Sequence, residues 1–310
     1  MFTFKCMKAA VLEKLNSELV IHDLVVPDLE YGQVLVKVMA SGICGKQIGE
    51  IAGQYGPDLY LPHLLGHEGG GVVGAVGPGV TQVITGEHVV MHWRKGAGID
   101  ASPPKYLDEN GQVIGGGPVT TFNEYAVVSE NRLTVIPKDV PLEVAALMGC
   151  AITTGFGVVF NEINLKPYHT IAVIGCGGIG LSIIQAAKLI GAWRIYGVDK
   201  TRYKMDMAER FGVTHPSLAK SNFNQIDYVV NCHNGVFIQD NIKGVTYESL
   251  GGATDPNRDI PIYLEKLWRH NRIKLESLIT DCFCLDEINA ALDVVRSGKI
   301  GRCIIEMEQK

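Results

Sequence analysis

The sequence lacks a long apolar run, because no stretch reaches the roughly eighteen uninterrupted apolar residues that a membrane helix needs. It also lacks a basic excess, since 28 lysines and arginines stand against 33 aspartates and glutamates, and the net charge is −5. This balance argues against a nucleic-acid or membrane surface and favours a small-molecule partner. The first residues contain no apolar segment typical of a signal peptide, so we expect a cytoplasmic protein.

Cysteine is absent from residues 94–118, where the chain is polar and rich in glycine and proline. We expect this segment to be a long surface loop. The eight cysteines elsewhere stand singly in apolar segments, apart from Cys282 and Cys284. Free thiols are therefore expected, and a cysteine in such a context is by default a small buried apolar residue.

Two domains are expected, because 310 residues exceed what one hydrophobic core usually fills. Residues 7–40 alternate in the manner of half-buried antiparallel strands, and the many glycines of residues 66–79 indicate tight strands with close backbone approach. From about residue 152, strands and helices alternate, which is typical of a parallel doubly wound sheet. The first 150 residues are therefore expected to be β-rich and the following part α/β.

A glycine motif stands at the start of the second part. Gly175-Cys176-Gly177-Gly178-Ile179-Gly180 follows an apolar strand, Ile171–Ile174, and precedes an apolar helix, Leu181–Ile190. Asp199 stands 19 residues after the last glycine. A glycine motif alone is weak evidence, but this context is the one in which dinucleotides bind.

Each glycine of this motif has a physical role. Gly175 permits a tight turn, Gly177 lets a pyrophosphate approach the backbone at the helix N-terminus, and Gly180 allows close packing of helix on strand. Asp199 would accept hydrogen bonds from the ribose hydroxyls and repel a 2′-phosphate, so NAD is favoured over NADP. Nearby cations weaken this preference: Lys200, Arg202 and Lys204.

A metal site is suggested by Cys44, His67 and Cys150, which lie far apart in the chain. Zn²⁺ takes thiolate sulfur and imidazole nitrogen, and three protein ligands leave a fourth position open for a substrate oxygen. Each residue alone is more often part of a core, and His63 is a competing ligand. Their joint presence beside a nucleotide motif is what favours zinc.

The sequence closely resembles the zinc-dependent alcohol dehydrogenases of the medium-chain dehydrogenase/reductase superfamily. The segments that carry the resemblance are Gly42-Ile43-Cys44-Gly45, Gly66-His67-Glu68, Val76-Gly77-Pro78-Gly79-Val80, Gly86-Glu87-His88-Val89, Gly149-Cys150, Thr153-Thr154-Gly155-Phe156-Gly157, Val173 to Gly180, Gly251-Gly252-Ala253-Thr254, Asp259-Ile260-Pro261 and Ile288 to Lys299. The resemblance spans nearly the whole chain.

This resemblance implies an α/β protein with a β-rich GroES-like catalytic domain, built from residues 1–151 and 250–310, beside a Rossmann domain of residues 152–249. It implies that Cys44, His67 and Cys150 hold one catalytic zinc. Glu68 matches an acid next to the metal that can approach it when ligands exchange. The residues implied to bind the dinucleotide are Thr154 against the nicotinamide, Arg302 at the pyrophosphate, and Gly175, Gly177, Gly178, Ile179, Gly180, Asp199 and Lys204.

Two departures from the family concern the metals and the proton path. Relatives hold a structural zinc with four cysteines in the lobe corresponding to residues 94–118, and this chain has none there, so we expect no structural zinc. The usual Ser or Thr of the proton relay is Lys46, and the further relay position is Gly49. Lys46 could shuttle the proton, pair with an anionic group of the substrate, or turn to solvent.

A third departure is a shortening near residues 235–243, where roughly 30 residues, a βαβ's worth, are missing. Either Val236–Gln239 substitutes as a short strand and dinucleotide binding is weakened, or the nicotinamide half of the site is open. We expect residues 243–250 to form the final strand, and in relatives this strand pairs across a twofold axis, so a homodimer or higher homo-oligomer is expected.

The predicted function is hydride transfer between an alcohol, including a polyol or sugar-like one, and NAD(P), with Lys46, Glu68 and Thr154 as candidate catalytic residues. His92 and Trp93 stand where relatives line the substrate pocket, although Trp93 could instead fill the core between domains. The alternatives are a catalytically impaired zinc- and nucleotide-binding protein and a zinc-free reductase of the same superfamily.

Overall fold

The computed structural model describes residues 6–217, 225–233, 235–298 and 301–307, so Lys299 of the resemblance lies outside the described residues. The first half of the chain consists mainly of short strands joined by glycine turns. In chain order its elements are β1 (Met7–Leu12), β2 (Val20–Val25), β3 (Gln33–Ile43), α1 (Gly45–Ile51), β4 (His63–Leu64), β5 (Glu68–Val76), β6 (His88–His92), β7 (Lys105–Asp108), β8 (Val113–Gly115), β9 (Tyr125–Ser129), β10 (Leu133–Ile136) and α2 (Leu142–Met148).

The second half alternates helices and strands before the chain returns to the first half. Its elements are α3 (Ala151–Gly157), β11 (Thr170–Ile174), α4 (Gly178–Ile190), β12 (Arg194–Val198), α5 (Arg202–Phe211), β13 (His215–Ser217), β14 (Tyr228–Asn231), β15 (Phe237–Asp240), β16 (Val245–Glu248), α6 (Pro256–Ile262), β17 (Ile279–Cys284), α7 (Ile288–Ser297) and β18 (Arg302–Glu306). The expected combination of a β-rich part and a Rossmann-type part is confirmed.

Strands β1, β2, β7, β8 and β4 close a small barrel. The loop expected over residues 94–118 is therefore wrong in its centre, where β7 and β8 form a hairpin. Asn110-Gly111 makes the turn, with Gly111 at φ +77°, and the Asp108 carboxylate accepts the backbone N–H groups of Asn110 and Gln112 at 2.9 and 2.7 Å. Inward-facing Tyr106 is fully buried and fixes the hairpin to the core.

A second sheet brings the chain end back to the first half. Its strand order is β10-β6-β5-β3-β18-β17, with β9 also paired to β3. β18 runs antiparallel to β3, and Cys303 pairs with Ile43. This pairing carries Arg302 to the end of β3, next to the first candidate metal ligand.

The third sheet has the order β13-β12-β11-β14-β15-β16. Its first four strands are parallel, as expected, whereas β15 is antiparallel to β14 and β16 is antiparallel to β15. The expectation of a wholly parallel sheet is therefore wrong at this end. Of the two alternatives for the shortened segment, the short strand is the one observed, at Phe237–Asp240.

The largest apolar cluster packs α2, α3 and α4 against the third sheet. In the described part of the chain no single helix is long and apolar enough to cross a membrane, although the bent pair Leu142–Met148 and Ala151–Glu162 passes on length and composition. Residues of both segments are buried in this cluster. The junction between α2 and α3 is also where Cys150 stands.

Candidate functional site

Three chain segments bring Cys44, His67 and Cys150 together. Cys44 follows β3 and is the N-cap of α1, His67 immediately precedes β5, and Cys150 is the N-cap of α3. One possible ligand atom from each residue lies within 4.8 Å of the other two. His63, the competing ligand, is engaged elsewhere: its Nε2 lies 2.7 Å from Asp58 Oδ2 and its Nδ1 2.9 Å from the Leu64 carbonyl.

The electrostatics of this cluster suit a cation. The pKa of the Cys44 thiol is held well below its ordinary value, chiefly because the Cys150 thiol donates a hydrogen bond to its sulfur. The same bond, together with burial, raises the pKa of Cys150 well above its ordinary value. Burial acts to lower the pKa of His67, but the neighbouring Cys44 outweighs it and the net shift is upward. The cluster thus holds protons that a divalent ion would replace.

The donor set fits zinc. Two sulfurs and one imidazole nitrogen form a Cys₂His set, which the known zinc sites of alcohol dehydrogenases use with a fourth position left open. The ligands are enclosed: Cys150 is 7% exposed, and Cys44 and His67 are half-buried. A compact, enclosed set of soft donors favours zinc over the oxygen-seeking cations.

Gln47 orients this cluster, and the sequence reasoning missed it. Its Oε1 accepts the backbone N–H of Cys44 at 2.9 Å, and its Nε2 donates to Nδ1 of His67. The side chain is fully buried. Because Gln47 occupies Nδ1, the ring nitrogen that remains for a metal is Nε2. A signal was present, since a glutamine three residues after an N-cap is a capping-box position.

Glu68 and Arg302 connect the cluster to the nucleotide motif. Arg302 Nη2 donates to Glu68 Oε1, and both side chains are buried, at 5% and 0% exposure. The guanidinium also lies against Gly178 at the start of α4. Burial raises the pKa of Glu68 despite the opposing charge of Arg302. One buried ion pair thus spans the distance between the metal cluster and the glycine loop.

The glycine loop has the geometry that its motif predicts. Gly175 stands at φ +92°, and the position where Gly177 would carry a side chain is open space. Asp199 Oδ2 accepts the backbone N–H of Cys176 at 2.9 Å, and its Oδ1 accepts that of Thr201 at 3.1 Å. The carboxylate is therefore fixed at the end of β12, beside the loop.

Ile179 and Gly180 form the first turn of α4, directly after the loop. Lys204 in α5 reaches towards Gly298, with its Nζ 3.8 Å from the position of a Cβ there. Thr154 is buried in α3, and its backbone N–H donates to the Cys150 carbonyl at 3.0 Å. Thr154 therefore lies one helical turn from a candidate ligand.

Three residues assigned to catalysis or substrate binding lie in distinct surroundings. Lys46 is exposed, and its ammonium stands 3.4 Å from the centre of the Tyr55 ring. His92 is 1% exposed, and its ring nitrogens contact the Arg94 carbonyl and the Thr134 hydroxyl, so neither is free for a substrate. Trp93 is 39% exposed, and the Arg94 guanidinium stacks on its ring.

Comparisons with known proteins agree with this geometry. Residues 30–138 match the alcohol dehydrogenase GroES-like domain. The S-(hydroxymethyl)glutathione dehydrogenase of Paracoccus denitrificans is 28% identical over 371 positions, covering 96% of this chain and 99% of that protein. The class-3 alcohol dehydrogenase of Dictyostelium discoideum is 27% identical, with 97% of each chain covered. Because 371 positions exceed the 310 residues here by 61, the relatives contain segments that this chain lacks.

Solved structures share the fold over the full length. An alcohol dehydrogenase zinc-binding domain protein from Burkholderia ambifaria has a TM-score of 0.85 at 24% identity, covering 98% of this chain and 99% of that one. Acetophenone reductase from Geotrichum candidum, solved in complex with NAD, has a TM-score of 0.77 at 20% identity, covering 99% and 98%. Over nearly its whole length the chain is therefore similar in sequence to alcohol dehydrogenases and shares their fold, and residues 30–138 match their GroES-like domain.

Proposed function

We propose that the protein is a zinc-dependent oxidoreductase that transfers a hydride between a small alcohol and NAD. The observation that carries this proposal is the cluster of Cys44, His67 and Cys150, joined to the nucleotide loop by the buried pair of Glu68 and Arg302. A zinc-dependent hydride transfer needs a metal-activated oxygen and a nicotinamide in one cleft. A cluster of soft donors within reach of a dinucleotide loop supports that arrangement.

One catalytic zinc would be held by Cys44, His67 and Cys150, and no structural zinc is proposed. When bound there, zinc would act as a Lewis acid that lowers the pKa of a substrate hydroxyl. Gln47 would lie beside Nδ1 of His67 and leave Nε2 for the ion, and the buried surroundings of Cys150 would keep bulk water from the ligands. Glu68 would remain beside the cluster as an acid held by Arg302.

The dinucleotide would bind along the loop from Gly175 to Gly180. Its pyrophosphate would face the backbone N–H groups at the start of α4, with the Arg302 guanidinium alongside. Asp199 would accept the ribose hydroxyls, and its negative charge supports NAD over NADP. Thr154 would contact the nicotinamide, and Lys204 the adenosine side.

The remaining assignments are also proposals. We propose a catalytic unit of residues 1–151 and 250–310 and a dinucleotide unit of residues 152–249. Lys46 and Trp93 would border the substrate channel, whereas the enclosed ring of His92 supports a packing role. The exposed edge of β16 supports pairing with a second copy into a homodimer.

A second candidate function is binding without turnover. The hairpin of β15 and β16 stands where a longer segment is expected, and this observation favours an impaired nicotinamide half. A zinc-free reductase is the weaker alternative, because it would not need the two cysteines of the cluster. Zinc content, dinucleotide binding and alcohol oxidation together separate the three.

The test is zinc analysis of the wild type, Cys150→Ala and the matched control Cys303→Ala, whose buried thiol lies outside the cluster. Each protein is also titrated with NADH by fluorescence and assayed with simple and polyhydroxylated alcohols. We expect one zinc per chain in the wild type and the control, none in Cys150→Ala, and oxidation only where zinc is present. Absence of stoichiometric zinc in the wild type would refute the proposal, and zinc with NADH binding but no oxidation would favour the second candidate.

A further inference from the structure

A cavity that the proposed reaction does not use lies at the edge of the second sheet. Strand β17 is the outermost strand there, beside β18. The cavity has a volume of about 270 Å³, and two thiols, two carboxylates, a thioether and one aromatic ring line it: Cys282, Cys284, Glu287, Glu306, Met307 and Phe283. Thiolate sulfur and carboxylate oxygen are both metal ligands. Donors of both kinds therefore face one common space.

The pleat of β17 places the two thiols side by side. Cys282 and Cys284 are two residues apart in the strand, so their side chains project from one face, with Cα atoms roughly 7 Å apart. Cys282 is exposed and Cys284 is half-buried. Two carboxylates flank them, because Glu306 stands opposite Cys284 in β18 and Glu287 is the N-cap of α7. Residues from three successive elements thus converge on the cavity.

Each thiol has a carboxylate as its neighbour. Cys284 Sγ donates to Glu287 Oε2 at 3.2 Å, and the backbone N–H of Cys284 donates to the same oxygen at 3.1 Å. Partial burial, together with a hydrogen bond to Glu306, raises the pKa of Cys282 to about 11. Both thiols are thus protonated at neutral pH, and each donates towards a carboxylate. A cation that replaces these protons meets sulfur and oxygen donors together.

The charges around the cavity also favour a cation. Three carboxylates act electrostatically on Cys282, those of Glu306, Glu143 and Asp281. The Lys8 ammonium lines an adjoining cavity, where it is engaged by Asp286 at 3.0 Å. An anion would therefore be repelled, and a cation attracted. Because two of the donors are sulfurs, a thiophilic ion is favoured over Mg²⁺ and Ca²⁺, which prefer oxygen ligands.

We propose that Cys282 and Cys284, with the carboxylates of Glu287 and Glu306, form a second metal site that takes a thiophilic divalent cation of the zinc and cadmium class. One ion displaces the two thiol protons, which pass to the solvent, and two sulfurs with two oxygens complete a tetrahedral set. This site does not depend on the proposed reaction.

The second site is weaker than the cluster of Cys44, His67 and Cys150. Among the described residues, that cluster is the one whose ligand atoms all lie within 4.8 Å of one another. The donors of the second site must first be drawn together, which lowers the affinity. Metal analysis of the protein as isolated therefore counts the first site. The two sites are also separate in space, because Glu306 pairs with Ala40, four residues before Cys44, which is roughly 13 Å along the strand direction.

The experiment counts bound zinc in the full-length protein by equilibrium dialysis against buffered free Zn²⁺, up to about 0.1 mM, where weak functional sites for divalent ions still bind. We expect a second, weaker equivalent in the wild type, which excess Ca²⁺ does not displace. Cys282→Ser and Cys284→Ser should each weaken this equivalent by more than about 100-fold, because loss of a direct ligand costs more than loss of a supporting hydrogen bond. The matched control is Cys6→Ser, whose exposed thiol does not line the cavity, and it should bind as the wild type does.

A second measurement uses the wild type alone and so does not depend on the folding of a variant. Zn²⁺ at saturating concentration should slow the alkylation of Cys282 and Cys284 by iodoacetamide at least tenfold, followed by mass spectrometry of peptides, and leave that of Cys6 unchanged. The inference would be overturned by the absence of a second equivalent, by its survival in both serine variants, by its displacement by Ca²⁺, or by alkylation of the two thiols at the same rate with and without zinc. None of these results bears on the first site, which is tested through Cys150.

Discussion

Replacing Gln47 with glutamate should raise the affinity of the candidate centre for Zn²⁺. In the structure the amide nitrogen of Gln47 donates to Nδ1 of His67, and its oxygen accepts from the backbone of Cys44. When Nε2 of a neutral imidazole binds a metal, Nδ1 carries the proton and needs an acceptor. The amide nitrogen cannot accept, so glutamine leaves two donors facing each other. A carboxylate supplies two accepting oxygens, one for Cys44 and one for His67.

The size of the effect follows from one charge-assisted hydrogen bond. Such a bond contributes about 1.5–3 kcal/mol, which corresponds to a factor of roughly 10 to 100 in metal affinity. The added negative charge stands at the N-terminus of α1 close to the Cys44 sulfur, and the position is fully buried. Without metal this repulsion should destabilise the variant, so the sign of the stability change should reverse when zinc is added.

The assay is competition with a chelator of known zinc affinity, together with thermal unfolding of the metal-free and zinc-loaded forms. Gln47→Met is the control, because it fills a similar volume and neither donates nor accepts strongly, so it should not show the gain in zinc affinity expected of Gln47→Glu. A Gln47→Glu protein that binds zinc no more tightly than the wild type would refute the reasoning about His67.

Three other changes test separate parts of the structure. Arg302→Met should destabilise the protein by about 3–5 kcal/mol in urea unfolding, because Glu68 is left buried and unpaired. The double variant with Glu68→Gln should lose less unfolding free energy than the sum of the two single variants. Additive losses would contradict the pairing. Burial lowers the pKa of His92 to about 4, so folding favours its neutral form. In the unfolded chain the pKa is about 6.5. The contribution of His92 to the free energy of unfolding is therefore complete above pH 6.5, and about 3 kcal/mol of it is lost as the pH falls towards 4. His92→Gln should flatten this part of the unfolding free energy against pH, and an unchanged curve would reject the assignment. Tyr106→Phe should cost about 1–3 kcal/mol in the same assay, because the buried Val127 N–H that donates to the Tyr106 hydroxyl at 2.9 Å loses its acceptor; a cost near zero would show that the bond contributes nothing.

The metal cluster could be predicted from the sequence because its chemistry resides in residue types. Thiolate and imidazole are the donors that zinc prefers, and glycines flank each of Cys44, His67 and Cys150. The contact between Glu68 and Arg302 could not be predicted in the same way. Glu68 was assigned to the metal and Arg302 to the pyrophosphate of the dinucleotide. Only the pairing of β18 with β3 brings the two side chains together.

Lys46 shows a limit of reading a motif position alone. Its place two residues after Cys44 suggested a role towards the substrate. Its side chain instead contacts Tyr55, a residue outside the Cys44 motif. The Tyr55 hydroxyl lies 2.7 Å from where a Cβ of residue 49 would stand, so the ring occupies space that Gly49 leaves free. The Lys46 ammonium then lies over that ring, an attraction of about 0.5–1 kcal/mol at an exposed site.

The hairpin of β7 and β8 was missed for a different reason. Glycine, proline and polar residues dominate residues 94–118, and composition alone indicates a loop. The decisive signal is local: Asn110-Gly111 between two short alternating segments is a strong hairpin pattern. Composition averaged over the whole segment hid a period-two pattern only a few residues long, in which Tyr106 and Ile114 face the core.

The end of the third sheet explains how a shorter chain keeps the path of a longer one. Asn231 pairs with Phe237 and Asp240 with Val245, so the chain turns back twice and β16 runs in the direction of β14. It therefore leaves the sheet at the edge where the carboxyl ends of the parallel strands lie, which is where open α/β sheets bind their ligands. A hairpin thus delivers residues 249–254 to α3 with far fewer residues than two crossovers would need. The shortening also removes the helix layer that would shield this end of the sheet. In the part of the chain that the structure describes, no crossover helix packs over β15 and β16, and Phe237 and Val245 are 40% and 47% exposed.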